Sequence, residues 1–365
     1  MKQLNVIGGI FGSSGYDSHT RQLASALFKK TKTRLTTSLV NNWQRFCKDH
    51  ELEMIKREAD LFEDNLAVIN PTFWKTHLGP GRNFVYCVWE GDKVPSWFIE
   101  EMSDPLINAV IVPSEHTKNA ILNMTTDEEV IGKIRVVPHG VDTSLFFPRE
   151  KTHTGFRFFA NKGFTSLEDR GGIQYLLRAY MEEFSLKDDV ELVIKINPAY
   201  HVPDLQRMVS ELAPENREDL PKIVFITDNV PFEDLPLYYA QTDVFVSPTR
   251  AESFNLPCLE ALACGKPVIT TSFGGQSEFV NQGNGWIING ELEEVEHDVY
   301  YEGIKWLTPS ISELRKALRE AFSQPELVKA KSEKAVEDAR DLTWDHTADK
   351  ILEILSEEQK NEEKN

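Results

Sequence analysis

Cysteine is scarce in this sequence of 365 residues, with only Cys47, Cys87, Cys258 and Cys264 present. None of them stands in CxxC spacing, and no histidine or further cysteine completes a zinc-ligand pattern around Cys258 and Cys264. A disulfide scaffold is therefore excluded, and the four are expected to be reduced thiols in a cytoplasmic protein. Positive charge is also in deficit. Lys and Arg number 40 against 58 Asp and Glu, a net of −18. A field of that sign repels phosphate backbones and anionic headgroups, which argues against a general nucleic-acid binder. No stretch approaches the roughly 18 apolar residues that span a bilayer. The apolar start (Leu4, Val6, Ile7) breaks at Gly8-Gly9, too short for a signal peptide. No short-period repeat is present.

What is there is an ordinary globular balance, 41% hydrophobic and 27% charged, with length for two cores. Short β-branched runs alternate with amphipathic helical spacing, the pattern of doubly wound α/β units with parallel sheets. Strands are expected at 4–7, 36–40, 67–69, 84–88, 109–112 and 134–137. The first helix is expected from about Asp17 or Ser18, and Ser114 reads as the N-cap of a helix through Leu122. A polar stretch at 149–154 separates a second series, with strands at 156–160, 192–196, 223–226, 244–247 and 267–271. The expected domains are thus 1–150 and 151–343. From Ser310 the pattern is helical, and a last helix runs from Trp344 to about Ser356 before a charged, frayed end.

The densest signal lies at 244–269, where a buried strand ends at Ser247-Pro248 and a loop carries Glu252. Pro257 then suits an early helical position, and the helix continues through Glu260 to a stop at Gly265. Free N–H groups at such a start suit a diphosphate or a sugar hydroxyl. A carboxylate can accept two hydroxyls of a cis-diol. Equally, either acid could simply complement the helix dipole.

Taken together, the ordered motifs resemble glycosyltransferase family 4, whose members are retaining enzymes. They are Glu252-x7-Glu260 within DVFVSPTR…EALACGKPVI, Ser14-Gly15, VPSEHT from Val112, PHGVD from Pro138, Phe147-Pro148 and FGGQSE from Phe273, with Trp344 opening the last helix. The resemblance implies the GT-B architecture, two Rossmann-like doubly wound parallel-sheet domains facing across a cleft. It implies that the 344–356 helix packs back on the N-terminal, acceptor-side domain, and that the C-terminal domain binds the nucleotide sugar. By the same resemblance Glu260 takes the ribose hydroxyls, Glu252 lies beside the transferred sugar, and Phe254, Asn255 and Leu256 offer backbone N–H groups. Ser253 and Asn255 replace the family's common glycines here. The family's diphosphate clamp corresponds to Lys162 and Arg170, in reversed order and with wider spacing. Solvated surface cations are the plain alternative for both.

Four weaker signals complete the reading. Gly15, in the loop from Gly8, matches the family glycine where backbone approaches the donor phosphates or acceptor, although a simple turn would also use it. Glu90, with Asp92 behind it, follows a buried strand and should reach the donor cleft where many relatives carry His or Asp, although a tight turn with capping acids would also use them. His139 replaces a frequent Asn and could contact donor phosphate or sugar, while a lone histidine is more often structural. The 29–57 segment holds Lys29, Lys30, Lys32, Arg34, Arg45, Lys48, Lys56 and Arg57 against three acids. It could make weak membrane contact, giving a peripheral place at the inner face, or be a solvated helix face. The expected function is transfer from a nucleotide diphosphate sugar to a hydroxyl of a glycan or lipid-linked acceptor. The resemblance implies no metal and no separate cofactor, and no DxD motif lies in a strand-end loop. The alternatives are a nucleotide-sugar 2-epimerase of the same fold and a catalytically silent sugar-nucleotide-binding protein.

Overall fold

The structure is a computed structural model that describes residues 3–37, 45, 47–163, 169–198, 202–296 and 299–362. It divides into two compact units, Met1–Asp142 with Leu342–Asn365, and Thr143–Asp341.

The first unit holds strands β1 (Leu4–Ile7), β2 (Thr33–Thr36), β3 (Asp64–Ala67), β4 (Asn83–Tyr86), β5 (Ile107–Val112) and β6 (Ile134–Val136). They form one parallel sheet in the order β2-β1-β3-β4-β5-β6. β3 starts three residues earlier than its apolar pattern suggests. Polar side chains can enter the sheet there because Asp64 is paired with Arg82 at 2.6 Å, and Asn65 accepts from Asn5 at 3.0 Å. β2 likewise lies upstream of the expected 36–40, and most of that window is outside the described residues. The first helix runs Gly15–Phe28, starting before Asp17, because the Ser14 hydroxyl accepts from the Asp17 N–H at 3.1 Å and caps it. Ser114 caps Glu115–Leu122 in the same way.

The last helix, Trp344–Glu362, belongs to this unit and packs on the first helix. It runs past Ser356, where fraying was expected. Arg135 holds Glu358 at 2.9 Å, and Arg82 donates to the Leu355 carbonyl at 2.6 Å. The chain re-enters beside Gly140, where a Cβ would sit 2.1 Å from the Thr343 carbonyl carbon.

The second unit holds β7 (Phe156–Lys162), β8 (Val190–Ile196), β9 (Lys222–Ile226), β10 (Val244–Ser247), β11 (Val268–Thr271) and β12 (Gly285–Ile288). These too are parallel, in the order β12-β11-β10-β7-β8-β9. A separate two-stranded sheet is the antiparallel hairpin of β13 (Gly290–Glu294) and β14 (Lys305–Pro309). Sequence periodicity does not reveal β12 or the hairpin. β12 is four residues long, and β13 is exposed throughout and polar except for Leu292. Phe158, Leu176, Tyr180, Leu192, Ile194, Val246, Leu314 and Leu318 share one core between the sheet and its helices.

In each sheet the strand order reverses at one place, beside β1 in the first unit and between β7 and β10 in the second. Crevices outside the strand carboxyl ends at such reversals are where open α/β sheets bind ligands.

Candidate active site

The reversal in the second unit brings the end of β7 next to the loop after β10. Lys162, the last residue of β7, places its Nζ 3.0 Å from Glu252 Oε1. Arg170 brings Nη1 to 3.9 Å from Glu252 Oε2 and donates to the Ala251 carbonyl at 3.2 Å. Burial would push the Glu252 carboxyl up, but the Lys162 and Arg170 charges hold it below the usual carboxylate range. The acid is therefore ionised at neutral pH, between two cations. The solvated-cation alternative fails for Lys162, which is 7% exposed.

Arg170 is positioned by its backbone. Its carbonyl accepts from the Arg250 N–H at 2.8 Å and from the Thr249 hydroxyl at 3.0 Å. Gly172 adopts φ +75°, and a Cβ there would lie 1.9 Å from the Pro248 carbonyl oxygen. No other residue type lets the turn press so closely on the end of β10. Asp169 was not singled out by the sequence. It is buried, accepts from the Gln174 N–H at 2.6 Å, and burial pushes its carboxyl up to about 6.

The Glu252 loop is held from below. The Gly275 N–H donates to the Glu252 carbonyl at 2.9 Å, and a Cβ on Gly275 would meet the Ser253 oxygen at 2.0 Å. Phe254 packs on Phe279 with ring centroids 4.9 Å apart. Asn255 takes φ +73°, the left-handed conformation that asparagine tolerates, and its amide donates to Ser247 Oγ at 2.9 Å. The helix it opens is Leu256–Ala263, with Pro257 in its first turn as expected. The Cys258 N–H donates to the Asn255 carbonyl at 3.0 Å, Pro257 has no N–H, and the Leu256 N–H, at the first position, has no intrahelical acceptor.

Glu260 lies on the same helix, 5% exposed. Burial pushes its carboxyl up to about 7, opposed by the Tyr239 hydroxyl and by Lys195. Tyr239 donates to Glu260 Oε2 at 2.9 Å. Tyr239 and Lys195 escaped the sequence reading because each stands in an ordinary apolar-periodic element, where only the fold shows what it touches.

Gly15, Glu90 and His139 belong to the first unit. A Cβ on Gly15 would meet nothing within 4 Å, so no protein atom demands glycine there. The loop before it is pinned by Arg21, which donates to the Ile10 carbonyl at 3.0 Å and to that of Gly12 at 2.7 Å. Glu90 is half-buried, and its carbonyl faces His116 Nε2 at 2.9 Å. His139 is 4% exposed, and burial lowers its imidazole to about 3. Its ring lies 4.2 Å from that of His19 and 5.6 Å from that of Trp344. It helps seat the last helix.

In the basic segment, residues 38–44 and 46 lie outside the described residues. Lys29, Lys30, Arg34, Arg45 and Arg57 are ion-paired with Asp345, Asp349, Glu63, Glu51 and Glu53. Much of its positive field is therefore cancelled locally. All four cysteines are free thiols. Among the described residues no helix is long and apolar enough to cross a membrane.

Residues 163–307 match the family model described as glycosyl transferases group 1. A putative glycosyltransferase of a Sulfolobus islandicus filamentous virus is 26% identical over 63% of this chain and 56% of its own. A Mycolicibacterium smegmatis protein is 31% identical over 42% of each chain. It is named GDP-mannose-dependent alpha-(1-6)-phosphatidylinositol monomannoside mannosyltransferase. The chain thus spans about half the length of these curated relatives. The solved structure of Anabaena HepE in complex with UDP-glucose superposes with TM-score 0.69 at 14% identity, over 98% of this chain and 100% of that one. The fold is thus GT-B, and the 163–307 stretch that matches the group 1 glycosyl transferases carries Arg170, Glu252 and Glu260.

Proposed function

We propose that this protein transfers a sugar from a nucleotide diphosphate sugar to an acceptor hydroxyl, with retention of anomeric configuration. The observation that carries the proposal is the Lys162–Glu252–Arg170 cluster at the strand reversal of the second unit, two cations within 4.0 Å of one ionised carboxylate. Lys162 and Arg170 stabilise the negative charge that grows on the departing diphosphate, the work a metal ion does in other transferases. The cleaved bond is that between the anomeric carbon and the diphosphate oxygen. The new bond forms on the same face, and the departing phosphate oxygen takes the acceptor proton. Glu252, ionised and alongside, stabilises positive charge on the sugar ring without attacking it.

Glu260, Phe254, Asn255 and Leu256 are assigned to the donor, the first through ribose hydroxyls and the rest through backbone. In the first unit Gly15 offers open space for substrate to approach backbone, and Glu90 is assigned to the sugar side. His139 is assigned to packing. The acceptor is proposed to be a glycan or lipid-linked hydroxyl. HepE, which shares the fold, is solved with UDP-glucose, so a nucleotide sugar of this kind is the first donor to test.

A thermal-shift panel of nucleotide sugars selects the donor, because a ligand that binds only the folded state raises Tm. With that donor, Glu252→Gln keeps size and some hydrogen bonding, so turnover should fall by roughly 10–1000-fold while some activity remains. Proton NMR of the early product should show the donor's anomeric configuration. An inverted product, or a glycosyl adduct on Glu252 in a mass spectrum, overturns the mechanism.

A further inference from the structure

Three lysines among the described residues are less than a tenth exposed: Lys162, Lys195 and Lys331. A buried ammonium is costly unless its donors find acceptors. Lys162 has Glu252 at 3.0 Å. Lys331 donates to the carbonyls of Gln282 and Gly285. Lys266, partly buried, donates to those of Ala240 and Thr242. Lys195 differs. It is 5% exposed, yet its ammonium makes no hydrogen bond and no ion pair among the described residues.

Its place in the sheet says what it waits for. Lys195 is the penultimate residue of β8, in register with Asn161 of β7, so the two side chains leave the same face of the sheet. Asn161 bonds to Tyr239, and Tyr239 donates to Glu260. The charged neighbour that acts on Lys195 is Glu260. The next register pair, Lys162 with Ile196, points to the opposite face. The carboxyl ends of β7 and β8 therefore present two separate cations. One is paired with the acid assigned to the transferred sugar, and the other stands unbonded near the acid assigned to the ribose.

We propose that Lys195 is a binding residue for the nucleoside end of the donor, its ammonium donating to a ribose or base oxygen beside Glu260. This rests on the donor-binding reading given above. A carboxylate accepts the hydroxyl protons of a ribose but leaves its oxygen lone pairs, and those of the base carbonyls, without donors. An ammonium with three unused protons supplies what the carboxylate cannot.

The test is calorimetric titration of the full chain with UDP and GDP, then with the monophosphate of whichever base binds. Lys195→Met should weaken the diphosphate and the monophosphate alike, by about 10–100-fold each. Arg170→Ala should weaken the diphosphate more than the monophosphate. Lys195→Arg, which keeps the donors, should recover part of the loss. If Lys195→Met does not fold, Lys195→Gln carries the same measurement. Wild-type binding with unchanged affinity in the folded Lys195 variants overturns this inference alone. A wild-type chain that binds neither nucleotide overturns the donor reading and this inference with it.

Discussion

The two units use the same strand arrangement and hold their strand ends by different forces. In the second, the end of β7 and the loop after β10 are tied by charge, with Lys162 and Arg170 on Glu252. In the first, the loop after β1 is tied by hydrogen bonds from Arg21 to backbone carbonyls. The turn at His139 is closed by rings of His19 and Trp344. Buried charges at a strand end carry a desolvation cost that their pairing with Glu252 offsets in part, and a charged ligand can offset the rest. The two imidazoles, held neutral by burial, and the indole carry no charge that a ligand would have to offset. The contrast marks the second unit as the seat of charge chemistry and the first as a frame whose open point is Gly15.

The largest break in this comparison comes from removing the segment that closes the first unit. Truncation before Trp344 deletes Trp344, Ile351, Ile354 and Leu355, all less than a tenth exposed. At roughly 1.5–3 kcal/mol per side chain, the loss is about 6–12 kcal/mol, comparable to a whole domain's stability. Calorimetry should then show the first unit's transition lost while the second unit's survives. Two intact transitions would show that the rings do not carry the frame.

Arg170→Ala should leave the fold intact and lower kcat by about 100–1000-fold, as removal of one preorganised charge stabiliser does. Steady-state kinetics with the donor chosen by thermal shift checks it. An unchanged kcat would move the leaving-group role off this cluster.

The pH response of Glu260 sharpens the comparison further. Its folded value, pushed up to about 7 by burial, lies above the ordinary 4.5, so the unfolded chain releases this proton first as pH rises. The group costs nothing below about 4.5, stability falls between 4.5 and 7 as pH rises, and the cost stays level above. At about 1.4 kcal/mol per pH unit the whole effect is roughly 3 kcal/mol. Denaturant titrations of wild type and Glu260→Gln across pH 5–8 should show wild type losing stability relative to the variant. Parallel curves would place the carboxyl in a wetter setting. The burial of His139 gives a first-unit counterpart of opposite character, a neutral ring over that whole range.

The smallest of these effects is steric. Gly172→Ala must accommodate a Cβ 1.9 Å from a carbonyl oxygen at φ +75°. The expected cost is about 1–3 kcal/mol, read as a lower Tm, with turnover reduced through Arg170 two residues away. A Tm equal to wild type would mean that this turn relaxes freely.

Much of the second unit was legible because its signals are local. The run Val244–Ser247, the proline after Asn255 and the stop before Gly265 each act over a few residues, and the strand and helix appear where they predict. The left-handed conformation of Asn255 is one its side chain tolerates better than most. Glu252 and Glu260 stand out through the ordered set of motifs around them, of which their spacing is only one part. β3 and the far end of the last helix were misplaced for the opposite reason. Asp64, Asn65 and the charged residues after Ser356 look solvated until Arg82, Asn5 and Arg135, distant in the chain, satisfy them.

By itself the sequence determined the alternating α/β plan, the parallel strands and the acidic pair, because periodicity, capping and glycine placement act within a turn or a strand. Only the tertiary structure decided that Lys162 and Arg170 share one carboxylate, that Tyr239 reaches Glu260, and that Lys195 is buried without an acceptor. Those pairings join residues from 21 to 90 positions apart. Their energies depend on burial, which no local pattern carries and which exists only once the sheets have closed.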